Sequence, residues 1–180
     1  MIWKKKFEYP KSTRFHLDGK RQYSVNNEKL PSVTTILSAT KSEEEKASLK
    51  NWRDRVGHIE ADKIKRDATN RGSQMHSYLE QFLLGKLNLS FFESNEKYKN
   101  MAKEIIEKGV DNKLNEIYGI EETLYYPEQY AGTADLIGVY QGNDVVIDFK
   151  QSNKPKKIDY IQDYFLQLGA YTLAHDIVHG

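Results

Sequence analysis

Asp135, Asp148 and Lys150 are residue types that do phosphate chemistry when they share one face of a sheet. Asp135 lies in Ala131-Gly132-Thr133-Ala134-Asp135-Leu136-Ile137-Gly138-Val139-Tyr140, and the other two lie in Val145-Val146-Ile147-Asp148-Phe149-Lys150. Both stretches read as strands, joined across Gln141-Gly142-Asn143-Asp144. A two-residue loop at Gly142-Asn143 pairs Gln141 with Asp144, and a four-residue loop pairs Tyr140 with Val145. Both give a register in which Asp135 opposes Lys150 and Ile137 opposes Asp148. Opposed residues share a face, as do residues two apart along one strand. The two carboxylates then sit diagonally, with backbones roughly 7–8 Å apart, close enough to converge on one small ion.

A hard divalent cation such as Mg²⁺ takes oxygen ligands, few of them carboxylates, and keeps waters and substrate phosphate. It turns a bound water into a nucleophile and neutralises charge on the phosphate under attack. A neighbouring lysine orients that water and stabilises developing charge. The same three residues also fit an exposed cross-strand salt bridge worth well under ~1 kcal/mol. Asp-x-Lys by itself is cheap, since Asp111-Asn112-Lys113 has the same spacing and no such context. Asp148-Phe149-Lys150 differs because it ends an apolar strand, where a half-buried acid and base need partners or a metal.

The elements that must position these groups follow from the rest of the chain. Phe15-His16-Leu17 leads into the turn Asp18-Gly19, and Tyr23-Ser24-Val25 leads into Asn26-Asn27, which reads as hairpins. Pro31-Ser32-Val33-Thr34-Thr35-Ile36-Leu37 suits a helix start as well as a strand. Ser42 with Glu45 makes a capping box, and a charged helix is expected from there through Trp52 and Ile59. A weak spot is expected at Asn70-Arg71-Gly72-Ser73, then a second helix to about Leu84 with Met75, Leu79, Phe82 and Leu83 inward, capped by Gly85. A third helix from about Glu93 would carry Met101, Ile105, Ile106, Val110, Leu114 and Ile117, ending at Gly119. Thr123-Leu124-Tyr125-Tyr126 reads as a strand stopped by Pro127. A final helix would bury Ile158, Ile161, Phe165, Leu168 and Thr172, with Tyr160, Tyr164, Gln167 and Tyr171 as an adjoining polar-aromatic stripe.

The chain has 180 residues, 27 Lys+Arg, 26 Asp+Glu, five His and no Cys. That size suits one domain, and 38% hydrophobic with 12% aromatic residues is enough for a core. Without cysteine there is no disulfide, thiolate zinc site, cysteine-ligated iron–sulfur cluster or cysteine nucleophile. No apolar run approaches the roughly 18 residues of a membrane-spanning helix, and the basic start Ile2-Trp3-Lys4-Lys5-Lys6 lacks the apolar stretch of a secretory signal. These features lead to an expectation of a soluble intracellular protein, placed in the cytoplasm. A net charge of +1 requires any nucleic-acid contact to come from local basic patches.

Four motifs, in order, resemble the PD-(D/E)XK nuclease superfamily. Gly132-Thr133-Ala134-Asp135 is similar to the motif ending in the first acidic ligand, and Asp148-Phe149-Lys150-Gln151-Ser152 to D-x-K with its continuation. Gln167-Leu168-Gly169-Ala170-Tyr171 matches Q-x-x-x-Y of the RecB-like branch. Upstream, Arg71-Gly72-Ser73-Gln74-Met75-His76 with Glu80 is similar to that branch's helical G-x-x-x-H element. The opening from Arg14 to Leu37 is similar to phage exonucleases related to the mitochondrial genome maintenance exonuclease. The resemblance implies a restriction-endonuclease-like α/β core, a central mixed sheet flanked by helices. One nuclease domain over 1–180 is expected, with a mostly helical DNA-gripping part at 1–118 and the hairpin and Q-x-x-x-Y helix at 119–180. The family supplies at least one more strand and helix after that point, so a C-terminally truncated form is among the expectations.

The resemblance further implies a Mg²⁺-dependent DNA exonuclease of phage replication, recombination or repair, with Mn²⁺ tolerated and single-stranded ends preferred. Asp135, Asp148, His76 and the backbone carbonyl of Phe149 would hold the metal, Lys150 would position water, and Gln167 and Tyr171 would support the site. Glu80 would stand behind the ligands. Arg71, Trp52, Arg53, Ser152, Lys154, Lys156 and Lys157 would meet DNA, although the lysines equally suit a solvated loop. His16, His58, His175 and His179 lack such context. A structure-specific endonuclease of the same fold and a non-catalytic DNA-binding module are the competing expectations.

Overall fold

A computed structural model describes residues 2–87, 96–153 and 155–180. The chain forms two compact units, one running to Ser38 and resuming at Glu107, the other spanning Ala39–Ile106.

The first unit contains two sheets. Strands β1 (Ile2–Trp3), β5 (Leu114–Tyr126), β6 (Tyr130–Tyr140) and β7 (Asn143–Ile147) form a mixed sheet in the order β1-β5-β6-β7, with β1 parallel to β5 and the other pairs antiparallel. Strands β2 (Ser12–Leu17), β3 (Lys20–Val25) and β4 (Glu28–Pro31) form an antiparallel sheet. Its turns are those expected: Asp18-Gly19 and Asn26-Asn27 all take positive φ, as two-residue hairpin loops require. The ambiguous Pro31–Leu37 stretch divides. Pro31 ends β4, Ser32 bridges to Ala131, and α1 (Val33–Ala39) begins with the Ser32 hydroxyl accepting from the Thr35 amide at 3.0 Å.

The hairpin register differs from expectation by two residues. Leu136 pairs with Ile147, Ile137 with Val146 and Tyr140 with Asn143, so Asp135 does not oppose Lys150 and Ile137 does not oppose Asp148. The loop is Gln141-Gly142, both at positive φ, which matches the twist of the flanking strands. A shift of two preserves parity. One step beyond the last pair, Asp135 therefore stands opposite position 148, on the face anticipated.

Two cores fill this unit. Val33, Tyr118, Leu124, Ala134, Ile137, Tyr171 and Ala174 make one; Tyr23, Val25, Leu30 and Ala131 make the other. Helix α5 (Gln162–His179) packs on β5, β6 and β7. Its buried face is Gln167, Tyr171 and Ala174, while Phe165 and Thr172 are exposed. Ile158, in a short 3-10 turn before the helix, is 69% exposed. The expected inward stripe is thus met only in part, with Ile161 and Leu168 half-buried and Ile158, Phe165 and Thr172 exposed. Of the polar-aromatic stripe, Gln167 and Tyr171 are buried because their polar atoms find partners there, whereas Tyr160 is 72% exposed.

The second unit is helical: α2 (Glu43–Val56), α3 (His58–Leu83) and α4 (Lys97–Ile105). The Ser42–Glu45 capping box is present in both directions. The first helix stops at Val56 rather than continuing through Ile59, because Gly57 at φ 90° breaks it. No break occurs at Asn70–Ser73. Helix α3 runs 26 residues through Gly72, with Ala61, Met75, Leu79 and Leu83 buried, and burial of that magnitude outweighs the roughly 1 kcal/mol helix cost of a glycine. Gly85, at φ 69°, closes it: its amide donates to Phe82 and that of Lys86 to Gln81, a Schellman pair.

The expected third helix ends early. Its start at Glu93 lies outside the described residues. Helix α4 passes into a π turn, Ile106–Val110, and Leu114, Ile117 and Gly119 belong to β5. Bulges at 114–116 and 117–119 put Leu114 and Ile117 three apart on a strand, the spacing of a helix face.

Candidate active site

Four neighbouring segments of the first unit bring the predicted hairpin and helix residues together. Asp135 is on β6 and 8% exposed, and its Oδ2 accepts a hydrogen bond from the Phe149 amide. That bond ties the chain beyond β7 to β6 after the ladder itself has ended. Asp148 is nearly enclosed, its side chain 6% exposed, and accepts from Lys150 Nζ through Oδ2 and from Gln167 Nε2 through Oδ1 at 3.2 Å. Gln167 Nε2 also lies 2.8 Å from the Tyr171 hydroxyl, to which it donates.

The glycine of Gly132-Thr133-Ala134-Asp135 has a steric reason. A Cβ at Gly132 would come within 2.3 Å of the Tyr171 ring and 2.8 Å of its hydroxyl. The first acidic motif and Q-x-x-x-Y are therefore one packed unit. Burial pushes the Tyr171 hydroxyl up to about 12, so it stays protonated and available as a hydrogen-bonding group. Thr133 accepts or donates a 3.0 Å bond to the Tyr23 hydroxyl, which ties β6 to the smaller sheet. Tyr130 donates to the carbonyl of Ala170 at 3.0 Å, fixing α5 against the start of β6.

The Lys150 side chain is 33% exposed, and desolvation of the ammonium lowers its pKa below the ordinary lysine value; Asp135 opposes that shift and Lys156 adds to it. Its ammonium lies 5.6 Å from the ring centroid of Tyr164, and Lys156 approaches the same ring at 4.8 Å. Ser152, Lys156 and Lys157 are exposed beyond the hairpin; Lys154 lies outside the described residues.

One acidic residue absent from the sequence reading joins this face. Glu121 on β5 falls between the pairs Ile120–Leu136 and Glu122–Ala134, directly across from Asp135, and a carboxylate oxygen of each lies within 4.8 Å of the other. Its φ of 53° is a conformation a non-glycine residue holds only when its surroundings impose it. Extending the strand upstream of Thr123 and applying its two-residue period would have found it.

The donor set suits a hard cation. Asp135 and Glu121 offer carboxylate oxygens within 4.8 Å of one another, Asp148 adds a third carboxylate tied to the same segment, and the described residues contain no sulfur ligand other than methionine. The remaining predicted residues belong to the helical unit. His76 and Glu80 are half-buried one turn apart on α3, with Arg71 on the same helix. Trp52 is half-buried on α2, and Arg53 pairs with Asp62 at 2.8 Å.

No family model matches this chain. It is similar to mitochondrial genome maintenance exonuclease 1 of Homo sapiens, 30% identical over 164 residues, covering 82% of this chain and 44% of the relative. The corresponding protein of Xenopus tropicalis is 31% identical over 163 residues, covering 83% and 45%. That of Mus musculus is 32% identical over 151 residues, covering 79% and 43%. The chain spans less than half the length of these relatives. Its homology to proteins named as exonucleases, at about 30% identity, supports placement in a nuclease family.

Proposed function

We propose that the chain is a divalent-metal-dependent DNA exonuclease of the PD-(D/E)XK type, RecB-like branch. The observation that carries this reading is the set of hydrogen bonds around the two aspartates: Phe149 to Asp135, Lys150 and Gln167 to Asp148, and Gln167 to Tyr171. A surface salt bridge does not require that a helix glutamine and an enclosed tyrosine support it. The similarity to exonucleases over about four-fifths of the chain supports it independently.

Asp135 and Asp148 would hold Mg²⁺, with the Phe149 carbonyl and Glu121 as further oxygen donors, and His76 as the nitrogen ligand its G-x-x-x-H context suggests. Mn²⁺ suits a site with an imidazole donor. Such an ion supplies an acidified water and charge neutralisation at phosphate. Lys150 orients the water and carries positive charge toward the phosphate. Gln167 holds the Asp148 carboxylate in one orientation, and Tyr171 holds Gln167. Glu80 would steady His76. Arg71, Trp52, Ser152, Lys154, Lys156 and Lys157 are the residues assigned to DNA, by phosphate contact and by base stacking, which tolerates any sequence.

Single-stranded ends are the preferred substrate in this reading, and the setting is DNA replication, recombination or repair in a phage or phage-like system, in the cytoplasm. The test offers linear and circular single-stranded DNA to the chain with Mg²⁺. Release of nucleotides from the linear form with the circle left intact supports an exonuclease; cutting of the circle points to an endonuclease of the same fold.

A further inference from the structure

The mechanism assigns Lys150 a task that its side chain cannot perform unaided. Four methylenes give a lysine many rotamers, and a water must be held in one place for attack. Lys150 is also the more open member of its pair, with its side chain 33% exposed against 6% for Asp148.

Helix α5 supplies the constraint. Tyr164 sits in its first turn, and the ring takes the Lys150 ammonium at 5.6 Å from its centroid. Lys156 comes to the same ring at 4.8 Å and donates to the tyrosine hydroxyl. Tyr164, Gln167 and Tyr171 have the i, i+3, i+7 spacing of one helix face. Each member meets a different part of the site: Tyr164 meets Lys150, Gln167 meets Asp148, and Tyr171 fills the space left by Gly132.

Resting on the exonuclease reading above, we propose that Tyr164, steadied by Lys156, is a positioning residue that holds the Lys150 ammonium against Asp148. The interaction is between a cation and the face of the ring, so the ring rather than the hydroxyl is the essential part. Lys156 acts at one remove, by fixing where the ring lies.

The experiment uses the whole chain with Tyr164→Leu, Tyr164→Phe and Tyr164→Met. Two readouts are taken: kcat and KM for Mg²⁺-dependent nucleotide release from linear single-stranded DNA, and the side-chain NMR signals of Lys150 in the metal-free protein. Tyr164→Leu lowers kcat by about 30-fold with KM within about twofold, as a misplaced group does. Tyr164→Phe restores most of that loss. The Lys150 methylene signals, moved upfield by the ring in wild type and in Tyr164→Phe, return to ordinary lysine positions in Tyr164→Leu. An unchanged kcat in Tyr164→Leu, an effect on KM alone, equal damage by Phe and Leu, or a Lys150 signal that does not respond would each overturn the proposal. Should Tyr164→Leu fail to fold, Tyr164→Met decides, with a fall in kcat at unchanged KM supporting the proposal and full activity overturning it. Lys150→Ala separates the two levels. If that variant stays active, the underlying reading fails; if it is inactive while Tyr164→Leu is not, only this inference fails.

Discussion

The ring of Tyr171 occupies the space where a side chain on Gly132 would be, so helix α5 can approach β6 only because position 132 has no Cβ. Gly132→Ala would force backbone or ring to move inside a core where Tyr171 is 4% exposed. We expect a loss of about 1–3 kcal/mol in urea denaturation, the usual range for overpacking. Nucleotide release should fall as well, because Gln167 moves with the helix. Stability equal to wild type would show that the helix is not seated in this way.

Gln167 bridges Asp148 and Tyr171 from a site that is 6% exposed. Gln167→Leu keeps the volume and removes the donor, leaving an enclosed carboxylate short of one partner. The expected cost is about 1–3 kcal/mol in stability and at least about tenfold in kcat. Gln167→Glu places a second acid beside Asp148 and should be the more damaging of the two in metal-free protein.

Glu121 holds a positive φ of 53° opposite Asp135. Glycine adopts that conformation freely, so Glu121→Gly removes a carboxylate and backbone strain together. The thermal midpoint should not fall, whereas Mn²⁺ affinity measured by calorimetry should weaken by about tenfold, the size of a lost supporting ligand. Unchanged affinity would leave Glu121 without a role at the metal.

The C-terminal end of α5 contains a separate titratable cluster. The His175 and His179 rings lie 4.8 Å apart between their centroids at an interplanar angle of 48°, with Phe7 against both and the Tyr9 hydroxyl 3.4 Å from His175. Burial lowers both imidazole pKa values; Asp176 and Asp144 oppose the shift at His175, and Lys6 reinforces it. The unfolded chain therefore takes up these protons first, at about 6.5, and the folded chain only at lower pH. Stability from this source is complete above about pH 6.5 and is lost as pH falls toward the folded values. Thermal midpoints between pH 7.5 and 5 should drop more steeply for wild type than for His175→Asn with His179→Asn. Parallel curves would remove the cluster from the pH dependence.

Much of the site was legible from spacing because strand parity survives an error of two residues. Asp135 and position 148 kept their common face although the loop proved to be Gln141-Gly142. Other features depended on partners that a linear pattern does not contain. The π turn and two bulges made Leu114 and Ile117 look helical, and with β5 misread, Glu121 escaped notice. On α5, apolarity suggested Phe165 as an inward residue, yet it is 56% exposed and Gln167 is enclosed, because the buried face is chosen by what Asp148 and Gly132 offer it. Gly57 and Gly72 have the same side chain and opposite outcomes. Only the first is at positive φ, and only the second lies beside the buried Met75 and Leu79.

The most direct measurement is Mg²⁺-dependent release of nucleotides from linear single-stranded DNA by wild type, Asp148→Ala and Lys150→Ala, each checked for folding by circular dichroism. The account predicts release by wild type that stops on chelation, and a fall of at least about 100-fold in both variants. Folded variants that release nucleotides as fast as wild type would contradict it.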